Sequence, residues 1–487
     1  MKTLIVVVSV FLFAHRVPAA DDLPRSAQVA MERATRFFRT EVAHMGGYLW
    51  NYRSDFAVRE GEVNAPASAI WVQPPGTPAV GLAMLEAYEA TKNKYFLDGA
   101  IDAARALVWG QMSSGGWAAT IDFDPQRAKA WHYRRDVLAG DTQKGTRKNS
   151  TMLDDNNTQS ALLLLMRVDR ALDFKDAPIH EATLAGLQAL LDAQYPNGAW
   201  PQHFSGAPDP KKFPALRARY PDDWPRKFPA VKYSDFYTFN DGCMTDVMRT
   251  MFEAHRIYRD DRYLASARRL GDFILLAQMP DPQPVWAQQY NLQMEPAWAR
   301  KFEPPSVTGG EIRDILLALL DLHTETGDKR FLAPFPSALA WLERSRLPDG
   351  RYARFYELKT NRPLFFTKDY VMTYDDSSMP THYGFKVSGD WIPGVKASYE
   401  RALGGAGKKG PAKKEPSSQQ KNGSSSSEAE VRAIVAALDA KGRWLEQGRL
   451  KSAEDRTQFV PAEIISCRTF NKNLSVLARY VKSRQRP

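Results

Sequence analysis

The stretches QMSSGGW (111–117), QYPNGAW (194–200) and RLPDGRY (346–352) decide how this chain reads. Each sets an aromatic residue six positions after a long polar one, across a glycine turn, and QMPDPQPVW (278–286) is a looser copy. Upstream, MLEAYEATKNKYFL (84–97), MFEAHRIYRDDRYL (251–264) and LLDLHTETGDKRFL (319–332) also resemble one another. Each reads as the end of an amphipathic helix, a charged turn, and an aromatic–leucine pair opening a second helix. LLMRVDRALDFKDAPIHEAT (164–183) takes that place in the second unit. Self-similarity of this kind marks a repeat architecture. The repeated aromatics, Trp117, Trp200, Trp286 and Tyr352, are separated by 83, 86 and 66 residues, which fits four units of two antiparallel helices. Few segments read as strands. The expected fold is therefore α-dominated, an (α/α) toroid or barrel of helix hairpins with short extended segments at the active-site end.

The chain has 487 residues, 44% of them apolar, enough for a sizeable core. MKTLIVVVSVFLFAHRVPAA (1–20) has a basic start, a short apolar run and small residues before Asp21, the pattern of a secretory signal. A secreted or periplasmic protein is expected, with no membrane association once the signal is removed. Residues 21–403 read as the catalytic toroid and 404–428 as a disordered low-complexity linker. Residues 429–487 read as a helical segment that packs back on the toroid, because DAKGRW (439–444) echoes the earlier turns. Cys243 and Cys467 are too few for a disulfide framework and read as small buried hydrophobes. The balance of 66 basic to 56 acidic residues biases the surface toward an anionic partner. Nucleic-acid-binding signatures are absent. A monomer is expected.

In an antiparallel hairpin the first helix starts at the end where the second finishes. The segments after the repeated turns and the N-termini of the first helices should therefore share one end of the toroid. Two of those N-termini carry acids: LDDNNT (153–158) and TFNDGCM (238–244). Asp and Asn at such places can cap the helix. Collected on one end, they could instead supply oxygen ligands to a hard cation. RYARFYELKTNRP (351–363) belongs to the same end. If it runs extended, Tyr352, Arg354 and Tyr356 share a face with the guanidinium between two rings.

These stretches, with WARKFEPPSVTGGE (298–311), resemble the family 10 polysaccharide lyases, pectate (polygalacturonate) lyases with an (α/α)-barrel module, in the family's order across roughly residues 150–370. The resemblance implies Ca²⁺-dependent β-elimination of polygalacturonate, with Arg354 as the base. It also implies calcium ligands at Asp154 and Asp241, joined by Asp155, which stands where the family has asparagine. Arg362, Lys368, Trp200, Tyr356 and Asn240 are the expected substrate-binding residues. Lys368 replaces an arginine and loses its two-pronged fork. In this reaction the C5 proton leaves from beside the uronate carboxylate and the glycosidic oxygen departs from C4. Positive charge at that carboxylate stabilises the transition state more than the ground state. The alternatives are a glycoside hydrolase on a similar toroid using Asp154 and Asp241, and a non-catalytic binder of acidic polysaccharide.

Overall fold

A computed structural model describes residues 23–404, 427–452 and 458–485. The expected signal (1–20) and all but the ends of the expected linker (404–428) lie outside the described residues.

Twelve helices longer than two turns occur among the described residues: α1 Leu23–Phe37, α2 Thr77–Thr91, α3 Lys94–Trp109, α4 Asn157–Ala171, α5 Ala177–Ala193, α6 Cys243–Tyr258, α7 Asp261–Ala277, α8 Ile312–Thr326, α9 Phe335–Arg344, α10 Ile392–Gly404, α11 Glu428–Ala436 and α12 Cys467–Arg484. The repeats predicted from sequence form the pairs α2–α3, α4–α5, α6–α7 and α8–α9. The outer helices α3, α5 and α7 begin where the charged turns place side-chain caps, from Asn93, Asp176 and Asp260. The helices α12, α2, α4, α6, α8 and α10 pack one against the next as the inner layer of the toroid. Helix α1, from the start of the chain, packs on α12, from its end. The faces they share are apolar; α4 alone buries Leu162, Leu164, Leu165, Met166 and Val168.

At one end, each hairpin is sealed by a short antiparallel ladder between the residues before its inner helix and those after its outer one. The pairs are Ile70↔Ile121, Thr151↔Phe204, Tyr237↔Tyr290 and Thr308↔Phe355. Asn51↔Ser466 does the same for α12 and α1. These strands are more numerous than the sequence reading expected, because each is only two or three residues long. The tail differs as well. Residues 445–466, read as resuming helical periodicity, contain a hairpin of Leu445–Lys451 and Phe459–Ser466. Cys243 and Cys467 are buried and unpaired.

The repeated aromatic residues serve these ladders. The indole N–H of Trp117 donates to Leu107 O, that of Trp200 to Leu190 O, that of Trp286 to Ile274 O and that of Trp444 to Ile434 O, at 2.8–2.9 Å. Each bond satisfies a carbonyl near the end of an outer helix. The preceding Gln194 donates to Gly198 O and to Ser266 O on α7. Gly198 has φ +94°, and a Cβ there would lie 2.1 Å from Arg269 O. Trp200 is fully buried, so it presents no face to a ligand and is not the substrate-binding residue expected. Trp200→Phe should cost about 1–3 kcal/mol, through the orphaned carbonyl and lost packing, and leave KM unchanged. A thermal melt beside steady-state kinetics checks this; a raised KM at unchanged melting temperature would return Trp200 to the site.

Candidate active site

The inner helices α2, α4, α6 and α8 have no side-chain cap at their N-termini. The acids before α4 and α6 are therefore free for another task. The two approaches share an unusual backbone. Asp155 and Asp241 both adopt φ 51°, ψ 30°, followed by left-handed Asn156 (φ 58°) and Gly242 (φ 70°). Left-handed non-glycine residues are uncommon outside Asn and Asp, whose short polar side chains tolerate them. The true counterpart of Asp241 is thus Asp155, and Asp154 corresponds to Asn240. Glu311, three residues past Thr308 in the next ladder, stands at the equivalent place before α8.

The two turns touch. One carboxylate oxygen from each of Asp154, Asp155 and Asp241 lies within 4.8 Å of the others. Burial, then the charge of Asp241, pushes the Asp154 carboxyl up to about 6. Burial, then Asp154 and Asp241, pushes Asp155 up to about 7. Oδ1 of Asp154 and Oδ1 of Asn240 are buried and have no hydrogen-bond partner. Both residues line a cavity of about 120 Å³ with Gln202, His203, Tyr233, Arg300 and Glu303. A divalent cation with oxygen ligands at ~2.4 Å accepts ligand atoms up to about 5 Å apart. The three aspartates fit such an ion.

Facing the acids is a cationic layer that sequence reading largely missed. Arg300 binds Glu303 through two bonds, Nε to Oε2 at 2.8 Å and Nη2 to Oε1 at 2.5 Å. Glu303 also accepts from the Tyr383 hydroxyl at 2.8 Å and from Gln288. Burial opposes the ionised form of Glu303, but Arg300 outweighs it and holds the carboxyl below its usual range. On the other side of Tyr383, Arg354 pairs with Glu311 (2.7 Å), donates Nε to Gly384 O (2.9 Å) and lies 4.7 Å from the Tyr383 ring centre. Gly310 makes room for this approach: a Cβ there would sit 3.2 Å from the Arg354 side chain. Burial pushes Glu311 up to about 7 against the opposing pull of Arg354. The signal for Arg300, Glu303 and Glu311 was present in WARKFEPPSVTGGE. Tyr383 had none, since it comes from a loop far along the chain.

Other expected residues fall elsewhere. Arg354 is stacked on Tyr383, not held between Tyr352 and Tyr356, because both of those tyrosines are buried. Tyr356 accepts from Ala353 N and donates to Ser345 O just after α9, as Tyr290 donates to Ala277 O at the end of α7. Tyr356 therefore seals its hairpin and cannot touch substrate. Arg362 is exposed, with its guanidinium 3.4 Å from the Tyr374 ring centre. Lys368 is exposed in the turn between Pro363–Phe366 and Met372–Thr373. Asn240 alone among the expected substrate-binding residues lines the acidic cavity.

Residues 126–353 match the family model described as pectic acid lyase. The match includes the three aspartates, Arg300 and Glu311 and stops one residue short of Arg354. No curated protein matches the sequence. Among solved structures, the chain is similar to a family 10 polysaccharide lyase from Cellvibrio cellulosa (20% identity, covering 67% of this chain and 97% of that one, TM-score 0.44). It is similar to a mutant of that lyase in complex with trigalacturonic acid (20% identity, 66% and 96%, TM-score 0.43). It is also similar to a GH76 α-mannanase from Bacteroides thetaiotaomicron (10% identity, 95% and 96%, TM-score 0.42).

The crowded acids make a stability prediction. Asp154 and Asp155 hold protons in the folded state to higher pH than their usual 3.8. Between about pH 4 and 7 the metal-free folded state therefore binds more protons than the unfolded chain, and its stability falls as pH rises. Asp155→Asn should flatten that fall and raise stability at pH 8 by about 1–2 kcal/mol, a figure reduced because the site is partly open to solvent. Urea melts at pH 5 and pH 8 with chelator, wild type against variant, measure the difference.

Proposed function

Taking the pectic acid lyase match as the premise, we propose that this chain cleaves polygalacturonate by calcium-dependent β-elimination at the cavity between the aspartate turns and Arg300. One observation carries the reading: three carboxylates lie within 4.8 Å of one another, and one of them, Asp154, shares a cavity with Arg300. A glycosidase uses a pair of carboxylates, whereas three converge here. Asp154, Asp155 and Asp241 would hold Ca²⁺, with Asn240 Oδ1 beside them. When bound, Ca²⁺ supplies positive charge to a uronate carboxylate and so acidifies the neighbouring C5 proton. Export, which the first twenty residues suggest, would bring the enzyme to its polymer.

An arginine acting as base must enter the step neutral, which is unusual. The cavity favours Arg300 for contact with the reacting uronate, because it shares a wall with Asp154 and Asn240. A second reading keeps the base at Arg354, as the family resemblance implies. Its partner Glu311 is pushed up to about 7 by burial, whereas burial at Arg300 is outweighed by Glu303, which holds that guanidinium protonated. In either case both guanidiniums lie near the Tyr383 ring, 5.4 Å and 4.7 Å from its centre.

The lyase reading is tested by incubating the protein with polygalacturonate and Ca²⁺. Unsaturated, ultraviolet-absorbing chain ends are expected; reducing ends without that absorbance would establish a hydrolase, and neither product a binder. Arg300→Lys and Arg354→Lys then assign the base. Loss of a general base lowers kcat by about 10²–10⁴-fold, whereas loss of a binding contact chiefly raises KM. The collapse of kcat is expected in Arg300→Lys; its appearance in Arg354→Lys alone would move the base there. Ca²⁺ affinity, measured by calorimetry, should rise with pH through 6–7 as the aspartates lose protons, and fall sharply in Asp154→Ala and Asp241→Ala.

A further inference from the structure

Residues 205–234 form a strap that the proposed reaction does not use. It has no helix or strand, and it carries seven basic residues against three acidic ones, with six prolines. It is nevertheless fastened to the body. The Phe213 ring stacks on Tyr195 with centres 3.7 Å apart. Ala218 N donates to Leu276 O, and Arg219 N to Met294 O. The Trp298 indole donates to Pro225 O at 2.8 Å, two residues before Arg300. Tyr233, near the end of the strap, lines the acidic cavity. The strap therefore runs from the cavity outward past Trp298, beside Arg300.

Two guanidiniums stand out on this path. Arg226 lies 3.7 Å from the ring centre of Trp224, and Arg362 lies 3.4 Å from that of Tyr374. The Tyr374 hydroxyl donates to Glu357 (2.9 Å), which raises its pKa, while the charges of Arg362 and Arg226 both act on it in the opposite sense. The strap also packs toward the segment that carries Arg362: Phe228 lies 5.7 Å from the Trp298 ring, Trp298 lies 6.3 Å from that of Phe366, and Lys359 Nζ lies 5.8 Å from that of Tyr220. Arg300, Arg354 and the buried Arg249 all pair with carboxylates. Arg226 and Arg362 are exposed and form no ion pair among the described residues. Stacking occupies the face of a guanidinium and fixes its plane, leaving the N–H edges aimed outward. Those edges match a carboxylate in two-pronged geometry.

We propose that Arg226, on the strap, forms an outer subsite that extends the binding the resemblance assigns to Arg362 and holds uronate carboxylates of an acidic polysaccharide beyond the cleavage cavity. The proposal rests on the polygalacturonate reading of that cavity. Charge complementarity selects the occupant: a polymer with a carboxylate on every sugar presents the next anions along the path that the strap follows. The subsite makes the enzyme favour long chains over short ones.

The experiment compares KM on long polygalacturonate and on trigalacturonate, for wild type, Arg226→Ala and Arg226→Lys, with melting temperatures to confirm folding. A lost charge-assisted contact of about 1.5 kcal/mol corresponds to roughly tenfold. Arg226→Ala should therefore raise KM on the polymer about tenfold, at least several times more than on the trimer. Lysine, which keeps charge but not the fork, should restore part of it. An equal change on both substrates, or none on the polymer, overturns the subsite. Electrophoresis through gels containing polygalacturonate separates this from failure of the lyase reading. Retardation that Arg226→Ala abolishes, without unsaturated products from wild type, would sustain the subsite and refute the lyase. Cleavage by wild type with Arg226→Ala unaltered would do the reverse.

Discussion

The rest of the molecule depends on the short ladders that join the two ends of each helix hairpin. Because both ends return to the same side, pairing such as Tyr237↔Tyr290 holds the residues before each inner helix in an extended conformation. Ser466 both pairs with Asn51 and caps α12, but α4, α6 and α8 start without side-chain caps. The left-handed turns at Asp155 and Asp241 are what connects strand to helix in that cramped space. The acids of the site are thus a consequence of how the hairpins are closed. The pairing Asn51↔Ser466 extends the same device to helices from opposite ends of the chain.

Crowding three carboxylates is unfavourable unless cations answer it. The structure answers with two arginines on a single tyrosine, each tethered to its own glutamate. The tethers differ in strength. Glu303 sits between Arg300, Tyr383 and Gln288 and stays ionised, whereas Glu311 is buried deeply enough to be half protonated near neutrality. The acids of these two ion pairs, Glu303 and Glu311, are eight residues apart in sequence yet shift in opposite directions.

Aromatic residues divide by what surrounds them. Trp117, Trp200, Trp286 and Tyr356 each satisfy a helix-end carbonyl or a turn, and their rings are interior. Tyr383, Tyr374 and Trp224 instead support guanidiniums. No feature of local sequence separates the two groups. A tryptophan after Asn-Gly-Ala looks as fit to stack on a sugar as one beside an arginine.

The sequence alone determined the hairpin repeat, since helical periodicity and recurring glycine turns are local signals, and it placed the acids of LDDNNT and TFNDGCM on a common end. It also singled out the segments carrying Arg300, Glu311 and Arg354. Pairing between distant segments was decided only in the tertiary structure. Asp155, not Asp154, is the counterpart of Asp241, because the backbone turn sets the correspondence and one-residue offsets are invisible in composition. Tyr383 comes to lie between Arg300 and Arg354 from a loop 29 residues beyond Arg354, and a contact of that kind leaves no periodic trace. The burial of Trp200 and Tyr356 was equally illegible: whether a ring seals a helix end or faces solvent depends on the neighbouring hairpin, which only the folded toroid supplies.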